Sequence, residues 1–454
     1  MHPGEGVDRR ADRQRTARVM RVAMRTAVAM LSSGAQSDEV EAIAVAVASA
    51  FDVHGVQAAV TFSTITLSHD ASDLEAPTTV LHIVRDRTSD FARLAAAASL
   101  ARGVREGEIT LEAAEAALDS LEEQPSPYGA VLSFVAPGVS AAASTIVFGG
   151  NLLDAAVTLL IALIVQPALS ALDRATLPPF FRLVFGAAAS ALLVAVIVKL
   201  GVPITGGLVL TGSLLRFLPG YALVSGFRDL IDQSMISGSA RLAEALLLAA
   251  GVAGGTLLGL AVATRFDVYL SIETVGRTDW GYLAAGLAAF VAVGAFAIRL
   301  GVPRGSVGQA AVLGGAAWLA FIGVADIGLL DASLATLGAA IIIGVVGRLL
   351  ARRMKAPAAL WVVPAILPLL PGLQLVQAML APTDVARVSG LLAAAGTAFL
   401  VGTGVASGDI LALAFRRVRD DLVAPAVDAV TGGIEVYIVE PVERRVGRSG
   451  KDAD

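Results

Sequence analysis

The chain has 454 residues, of which 56% are hydrophobic and only 16% are charged; the mean hydropathy is +0.74 and the formal net charge is −5. Because a soluble protein carries about 25% charged residues, this composition predicts an integral membrane protein. The sequence contains no cysteine, which excludes disulfides, thiolate metal sites and cysteine nucleophiles.

The first part of the chain, residues 1–128, predicts a small soluble α+β domain beside the membrane. Its polar, arginine-rich start is followed by no compact apolar segment with a cleavage site, so we expect no signal peptide. Ser37 is the expected N-cap of the second helix, and Thr110 is expected to open the last one. Helices are predicted over residues 16–31, 37–50, 91–102 and 111–121, and strands over 56–68 and 78–84.

All four histidines fall in this first part, namely His2, His54, His69 and His82. No nucleophile elbow, HExxH pair or comparable spacing accompanies them, so we predict no catalytic residues and no metal site. We therefore interpret the domain as a docking or regulatory unit. A membrane-anchored enzyme that uses this domain stays open as an alternative.

Windows of about 20 apolar residues predict about ten transmembrane helices in the middle of the chain. They cover residues 129–148, 152–172, 181–200, 204–218, 240–263, 281–300, 306–324, 330–350, 358–380 and 389–413. Arginines are concentrated in the loops on the side of the N-terminal domain, so the positive-inside rule predicts that both termini are cytoplasmic. The segment 416–454 is a charged cytoplasmic tail with one short predicted strand at 434–439; the rest of it is expected to be disordered.

Two of the predicted spans are interrupted by the same three residues, Leu-Pro-Gly. The first copy includes Pro219 and Gly220, and the second includes Pro371 and Gly372. Proline removes a backbone donor, and in lipid the freed groups must be satisfied by protein, water or ligand. Paired interruptions at matching positions of two halves indicate the substrate site of a transporter. The alternative is a pair of kinked helices without a ligand.

The two copies divide the membrane region into residues 129–263 and 264–415, with five predicted spans in each. An odd number of spans reverses the direction of the second half in the membrane. The sequence therefore predicts an α-helical polytopic membrane protein built as two inverted five-helix repeats. A duplicated packing scaffold is the alternative interpretation.

Polar residues inside the membrane are expensive, and they usually face a cavity or a partner. Asp229 and Asp232, at positions i and i+3, are expected to share a helix face, with one as proton carrier and Arg228 as its charge partner. A solvated interfacial charge cluster is the alternative. Arg216 is expected to hold a substrate carboxylate or to extend to the inner surface. Four further polar candidates complete the set: Gln374, Gln377, Gln166 and Asp409. Asp154 is a weaker candidate near the outer end of its span.

In this order the motifs resemble the threonine/serine exporter family over residues 16–415. The residues that carry the resemblance are Leu31-Ser32-Ser33-Gly34-Ala35 with Val40-Glu41, the stretch 61–68, Leu218-Pro219-Gly220 followed by Arg228-Asp229-Leu230, Ser237-Gly238 with Ala240-Arg241, and the stretch 364–372. The resemblance implies export of small hydroxy amino acids across the bacterial inner membrane, driven by the proton motive force. In related systems the two halves are separate proteins associated with dicarboxylate export, such as that of succinate, so a second substrate class stays open.

Three classes of function are compatible with a polytopic membrane protein of this kind: a secondary exporter, a passive channel and a membrane-anchored enzyme. A channel is more typically built from parallel elements of several subunits around an axis, which an inverted duplication does not favour. We therefore expect a transporter and not an enzyme. Its expected partners are a small amino acid, protons and the lipid bilayer; we expect no cofactor and no nucleic acid.

Overall fold

The computed structural model describes residues 3–70, 77–85, 88–122, 125–175, 177–270 and 281–431. By compactness the chain divides into two units, residues 1–410 and residues 411–454. The second unit is helical where it is described, through Thr431. The short strand predicted at 434–439 lies outside the described residues.

The N-terminal module contains helices packed against a three-stranded sheet of order β1-β2-β3 in which both pairs are antiparallel. Ile65 and Leu67 alternate with half-buried residues along β2 and are fully buried, so one face of the sheet contributes to the core. The elements are α1 (Pro3–Ser32), α2 (Ser37–Ala50), β1 (Val56–Val60), β2 (Thr64–His69), β3 (Thr78–Ile83), α3 (Phe91–Arg105) and α4 (Leu111–Glu122).

Two predictions in this module were wrong in detail, and a third is confirmed. The strand predicted over residues 56–68 is a hairpin, because the chain turns where the Thr61 N–H donates to the Thr64 carbonyl at 2.8 Å. Its β-branched residues continue through the turn, so composition gave no sign of it. Gln36, not Ser37, is the N-cap of α2, because the Ser37 hydroxyl bonds to Ser237 at 3.0 Å instead. The prediction that Thr110 opens α4 is confirmed by a 3.3 Å bond from the Ala113 N–H.

In the described part of the chain, eight helices are long and apolar enough to cross a bilayer, and counting each of two bent pairs as one span gives ten. The prediction of an α-helical polytopic membrane protein with a small α+β domain is confirmed. The elements are α5 (Ala130–Val147), α6 (Leu152–Arg174), α7 (Pro179–Lys199), α8 (Gly206–Leu215), α9 (Gly220–Ile231), α10 (Met235–Thr264), α11 (Gly281–Arg299), α12 (Arg304–Asp326), α13 (Ala332–Met354), α14 (Ala359–Ala365), a 3-10 turn (Leu367–Leu369), α15 (Gly372–Leu380) and α16 (Asp384–Thr431).

Several helices are longer than hydropathy predicted. Helix α1 begins at Pro3 and not near residue 16, because proline is well tolerated at a helix start and the arginines that follow are good helix formers. Helix α10 begins at Met235, which places Arg241 inside the helix. Residues 416–431 are helical and not disordered, since helix formation depends on backbone propensity and does not end where apolarity ends.

The predicted interruptions lie inside the two bent pairs. The axes of α8 and α9 differ by 51°, and the 3-10 turn with α15 is bent by 44° from α14. Pro219 and Pro371 are the N-caps of the helices that follow the breaks. Each proline therefore lies at the start of a new helix, where its missing N–H removes no hydrogen bond from that helix.

The N-terminal module packs against loops at one end of the membrane helices. The Phe91 N–H donates to the Leu300 carbonyl at 2.9 Å, and the Tyr128 hydroxyl donates to the Val302 carbonyl at 2.5 Å. The loop between α1 and α2 contacts the junction of α9 and α10. These contacts place the arginine-rich loops beside the module, at the same end of the helices.

Candidate functional site

The two Leu-Pro-Gly breaks meet each other at the backbone. A Cβ atom on Gly220 would lie 2.9 Å from the Cβ atom of Leu370, and one on Gly372 would lie 2.7 Å from the Cβ atom of Leu218. The contact is reciprocal, so each break is the partner of the other. Only glycine permits this approach without displacing the opposite chain.

The breaks leave backbone donors without helical partners. The Leu218 N–H donates to the Leu215 carbonyl and the Leu370 N–H to the Leu367 carbonyl, both at 3.3 Å, which closes each preceding turn. The N–H groups in the first turn of α9 and of α15 have no acceptor within their own helix. Two helix N-termini, each favourable for an anion, therefore lie close together.

A cavity of about 440 Å³ lies against both breaks. Pro219, Gly220 and Gly372 form part of its wall, and it extends to the exposed residues Ser89 and Asp173 at the module end. We call it the central cavity. Residues from both halves of the chain therefore surround one space that is large enough to hold solvent.

Arg216 lies in the first break and lines the central cavity. Its Nη1 donates to the Ala162 carbonyl at 3.0 Å, its Nη2 donates to Gln166 Oε1, and its guanidinium lies 5.3 Å from the centre of the Phe217 ring. Both acceptors are neutral, and within the described residues no carboxylate forms an ion pair with this guanidinium. The side chain is thus positioned, but its charge is free to attract an anion.

Other charges line the same cavity near its open end. Arg182 forms an ion pair with Asp173, and Arg299 lies 5.7 Å from the centre of the Phe296 ring. Positive charge therefore exceeds negative charge in the central cavity. Sequence reasoning missed Arg299 as a lining residue, because the last residue of a span looks like part of the basic inner loop.

The charged residues of α9 have separate partners. Arg241 Nε lies 2.8 Å from Asp229 Oδ2, and the two side chains are only 4% and 2% exposed; the N–H is not well aligned with the oxygen, so we describe an ion pair. Arg228 Nη2 lies 2.7 Å from Asp409, while its Nε is 3.9 Å from Asp232. Burial raises the pKa of Asp232, and the charge of Arg228 opposes that shift.

The remaining candidates lie outside the central cavity. Asp154 is fully buried and accepts backbone N–H groups at both oxygens, from Asn151 at 3.0 Å and from Thr205 at 2.8 Å, so it caps α6 and ties α8 to it. Gln374 is exposed and Gln377 is half-buried, and neither is part of the cavity wall.

The described histidines of the N-terminal module do not form one site. His54 and His82 are exposed, and His69 is half-buried on β2. Within the described residues no group of three or more histidine, aspartate or glutamate side chains is arranged to hold a metal ion.

Comparisons with known proteins cover nearly the same region as these elements. Residues 21–263 match the profile of the family described as "Putative threonine/serine exporter", and residues 285–414 match "Threonine/Serine exporter, ThrE". No solved structure matches the chain significantly.

Two relatives match most of the chain. A protein named "Probable threonine/serine exporter" from Mycobacterium tuberculosis is 31% identical over 413 residues, which is 88% of this chain and 78% of the relative. The "Threonine/serine exporter" of Corynebacterium glutamicum is 28% identical over 419 residues, which is 89% of this chain and 85% of the relative. With one profile matched over more than half of its length and a second over most of the remainder, the chain belongs to the threonine/serine exporter family.

Proposed function

We propose that this protein exports small amino acids of the threonine and serine type and is driven by the proton motive force. The observation that carries the proposal is the central cavity, in which both breaks and Arg216 line one space. An amino acid needs a cation for its carboxylate and acceptors for its ammonium and hydroxyl groups. Arg216 and the N-termini of α9 and α15 supply the first, and carbonyls at the breaks supply the second.

Inverted repeats fit the proposal because transport needs access from both sides. Helices α5 and α11 run antiparallel: the Ser140 hydroxyl donates to the Ala292 carbonyl at 3.0 Å near their middles, and Tyr128 before α5 reaches Val302 after α11. Corresponding helices also pack alike. A Cβ on Gly259 of α10 would touch Ala191 of α7 at 2.6 Å, and one on Gly404 of α16 would touch Ala340 of α13 at 2.6 Å.

The spacing of glycine contacts supports the same pairing of halves. A Cβ on Gly238 would lie 2.8 Å from the Gly226 carbonyl, and one on Gly390 would lie 2.7 Å from the Cβ of Ala378. Each pair joins the helix after a break to the next span, at the same distance in sequence from its Leu-Pro-Gly. We therefore assign residues 129–263 and 264–415 to two inverted repeats, with the basic loops, the N-terminal module and both termini on the cytoplasmic side.

Proton coupling would depend on carboxylates, because the four histidines all lie within residues 2–82. Asp232 is the coupling candidate that best fits, since burial raises its pKa and it is 31% exposed at its side chain, so a proton can reach it. Asp229 is held in a buried pair with Arg241, which favours a structural role.

A second substrate class has one specific observation in its favour. Arg299 lines the central cavity together with Arg216, so two guanidinium groups without carboxylate partners among the described residues face one space. Two cations suit a small dicarboxylate such as succinate. The same experiment must therefore compare the two classes.

The test is efflux of labelled threonine, serine and succinate from proteoliposomes with an imposed pH gradient. We expect gradient-driven efflux of the two amino acids. Arg216→Gln should raise the KM about tenfold or more, since a hydrogen bond to a charged group contributes about 1.5–3 kcal/mol. Arg353→Gln, an exposed arginine at the end of α13, is the matched control and should change nothing. Unchanged kinetics in Arg216→Gln would contradict the assignment, and efflux of succinate alone would favour the second class.

A further inference from the structure

A second cavity, of about 280 Å³, lies between the N-terminal module and the membrane helices. Its wall combines the loop between α1 and α2 with side chains of α9, α13 and α16. We call it the interface cavity. Among the residues that the structure describes, only Tyr221 and Val363 line both cavities, so they separate the interface cavity from the central one.

Two of the charged side chains in the interface cavity already have a partner. Arg228 and Asp409 form an ion pair at 2.7 Å across it, from α9 to α16. Asp38 is exposed to solvent at the edge, where water can screen its charge. What remains are Glu39 on α2 and Arg348 on α13.

Glu39 and Arg348 face this cavity without neutralising each other. Arg348 is half-buried, its Nε is buried without a hydrogen-bond partner, and it takes part in no ion pair in the described chain. Glu39 is half-buried as well and forms no hydrogen bond or ion pair with a described residue. Burial raises the pKa of Glu39, its neighbour Asp38 adds to the shift, and the charges of Arg228 and Arg348 oppose it.

Opposite charges that are half-buried and unpaired are unfavourable unless something between them supplies the missing partners. A zwitterion has the required chemistry, because a carboxylate complements the guanidinium and an ammonium complements the carboxyl group. The volume accommodates several water molecules and therefore a small amino acid. A simple anion or cation would satisfy only one of the two groups.

We propose that the interface cavity is a binding site for a free α-amino acid, with the carboxylate on Arg348 and the ammonium on Glu39. The site is separate from the central cavity, and the inference holds whichever solute is transported. The occupant would contact the same loop whose Gly34 carbonyl accepts the Tyr221 hydroxyl at 3.4 Å. Occupancy of the interface cavity therefore makes the helix that follows the first break sensitive to the concentration of amino acid in the cytosol.

The experiment uses the absence of native cysteine. Ala42 is exposed and lines the interface cavity, so Ala42→Cys in the full-length protein gives a single thiol there. The measurement is the rate of maleimide alkylation of that thiol in detergent with increasing threonine. We expect threonine to slow alkylation several-fold. Propionate and ethylamine each carry only one of the two charges, so the same protection should require a concentration about tenfold higher or more.

The variants separate the two cavities. Glu39→Gln and Arg348→Gln, each in the Ala42→Cys background, should lose protection, whereas Arg353→Gln should keep it. Arg216→Gln should also keep it, so failure of the proposed transport site and failure of this site give different results. Protection that survives Arg348→Gln, protection that depends on Arg216, or equal protection by propionate would overturn the proposal. Comparison of the three probes needs no variant beyond Ala42→Cys, so it remains decisive if a charge variant does not fold.

Discussion

The two breaks share a backbone design but differ in chemistry. Both contain Leu-Pro-Gly, both start a helix at the glycine, and each contacts the other through that glycine. Around the first break, residues 214–232 contain four charged side chains, whereas residues 365–380 around the second contain none. The difference indicates that both breaks supply free backbone groups, while only the first break has charged side chains beside it in sequence.

The module adds to this asymmetry. Its loop between α1 and α2 contacts the first half, through Ser37 on Ser237 at 3.0 Å and through Arg241, whose Nη2 reaches the Ala35 carbonyl at 3.4 Å. The same Arg241 holds Asp229 of α9. The helix after the first break is therefore fixed from the end that contacts the N-terminal module, and the interface cavity lies beside this attachment.

The largest expected effect tests what the breaks have in common. Gly372→Ala places a Cβ 2.7 Å from Leu218, a contact that requires the two breaks to separate. We expect transport to be abolished and stability to fall by about 1–3 kcal/mol, as for overpacking elsewhere. Proteoliposome efflux and thermal unfolding in detergent measure the two effects.

Gly396→Ala is the matched control for this variant. A Cβ there meets no atom within 4 Å, on a helix of the same half. It should leave transport intact and stabilise the helix slightly, because alanine is a better helix former than glycine. Normal transport by Gly372→Ala would show that the contact between breaks is not needed.

The next effect concerns the charged side chains that follow only the first break. Asp229→Asn leaves Arg241 buried without its counter-charge, and breaking a buried pair in this way is typically worth about 3–5 kcal/mol of stability. Thermal unfolding of Asp229→Asn, Arg241→Gln and the double variant forms a cycle. We expect the double variant to be much less destabilised than the sum of the single ones; additive losses would mean that the pair does not act as a unit.

The smallest expected effect on stability is that of Asp232→Asn, because the side chain is 31% exposed and its arginine is 3.9 Å away. Since burial raises the pKa of Asp232, its ionisation disfavours the folded state. The stability difference should therefore be absent below the ordinary pKa of an aspartate and should appear in favour of the variant as the pH rises through the raised pKa. Unfolding midpoints at several pH values measure it.

Transport by the same variant tests coupling. If Asp232 carries the proton, Asp232→Asn should lose pH-driven export and retain exchange of solute for solute. Export with an unchanged dependence on the pH gradient would assign coupling to another carboxylate. Asp409 is then the first candidate, because it forms an ion pair with Arg228.

Much of the fold could be predicted because the signals are local. Apolar length identified the spans, and two prolines with two glycines identified the breaks, since both depend on a few consecutive residues. Partners across the fold were not predictable in this way. Helix α9 ends at Ile231, so Asp232 lies beyond it, and spacing along a helix could not indicate that Asp229 would turn to Arg241.

The orientation of the second half-helix was equally hidden. Which residues of α15 face the central cavity depends on the 44° bend before it and on the packing of Gly372 against the first break. Gln374 and Gln377 are the polar residues nearest the break in sequence, yet Gly372 is the one that reaches the wall. The place of Arg299 in the cavity wall could not be predicted either, because this residue ends a span that is far in sequence from both breaks.

The most direct measurement asks whether both halves form one site. Leu367 lies in the 3-10 turn of the second half and lines the central cavity, while Arg216 belongs to the first half. Leu367→Cys gives a single thiol, and we expect threonine to protect it from alkylation. Protection should be lost when Arg216→Gln is added and kept when Arg353→Gln is added. No protection by threonine, or protection that does not depend on Arg216, would contradict a single site formed between the two breaks.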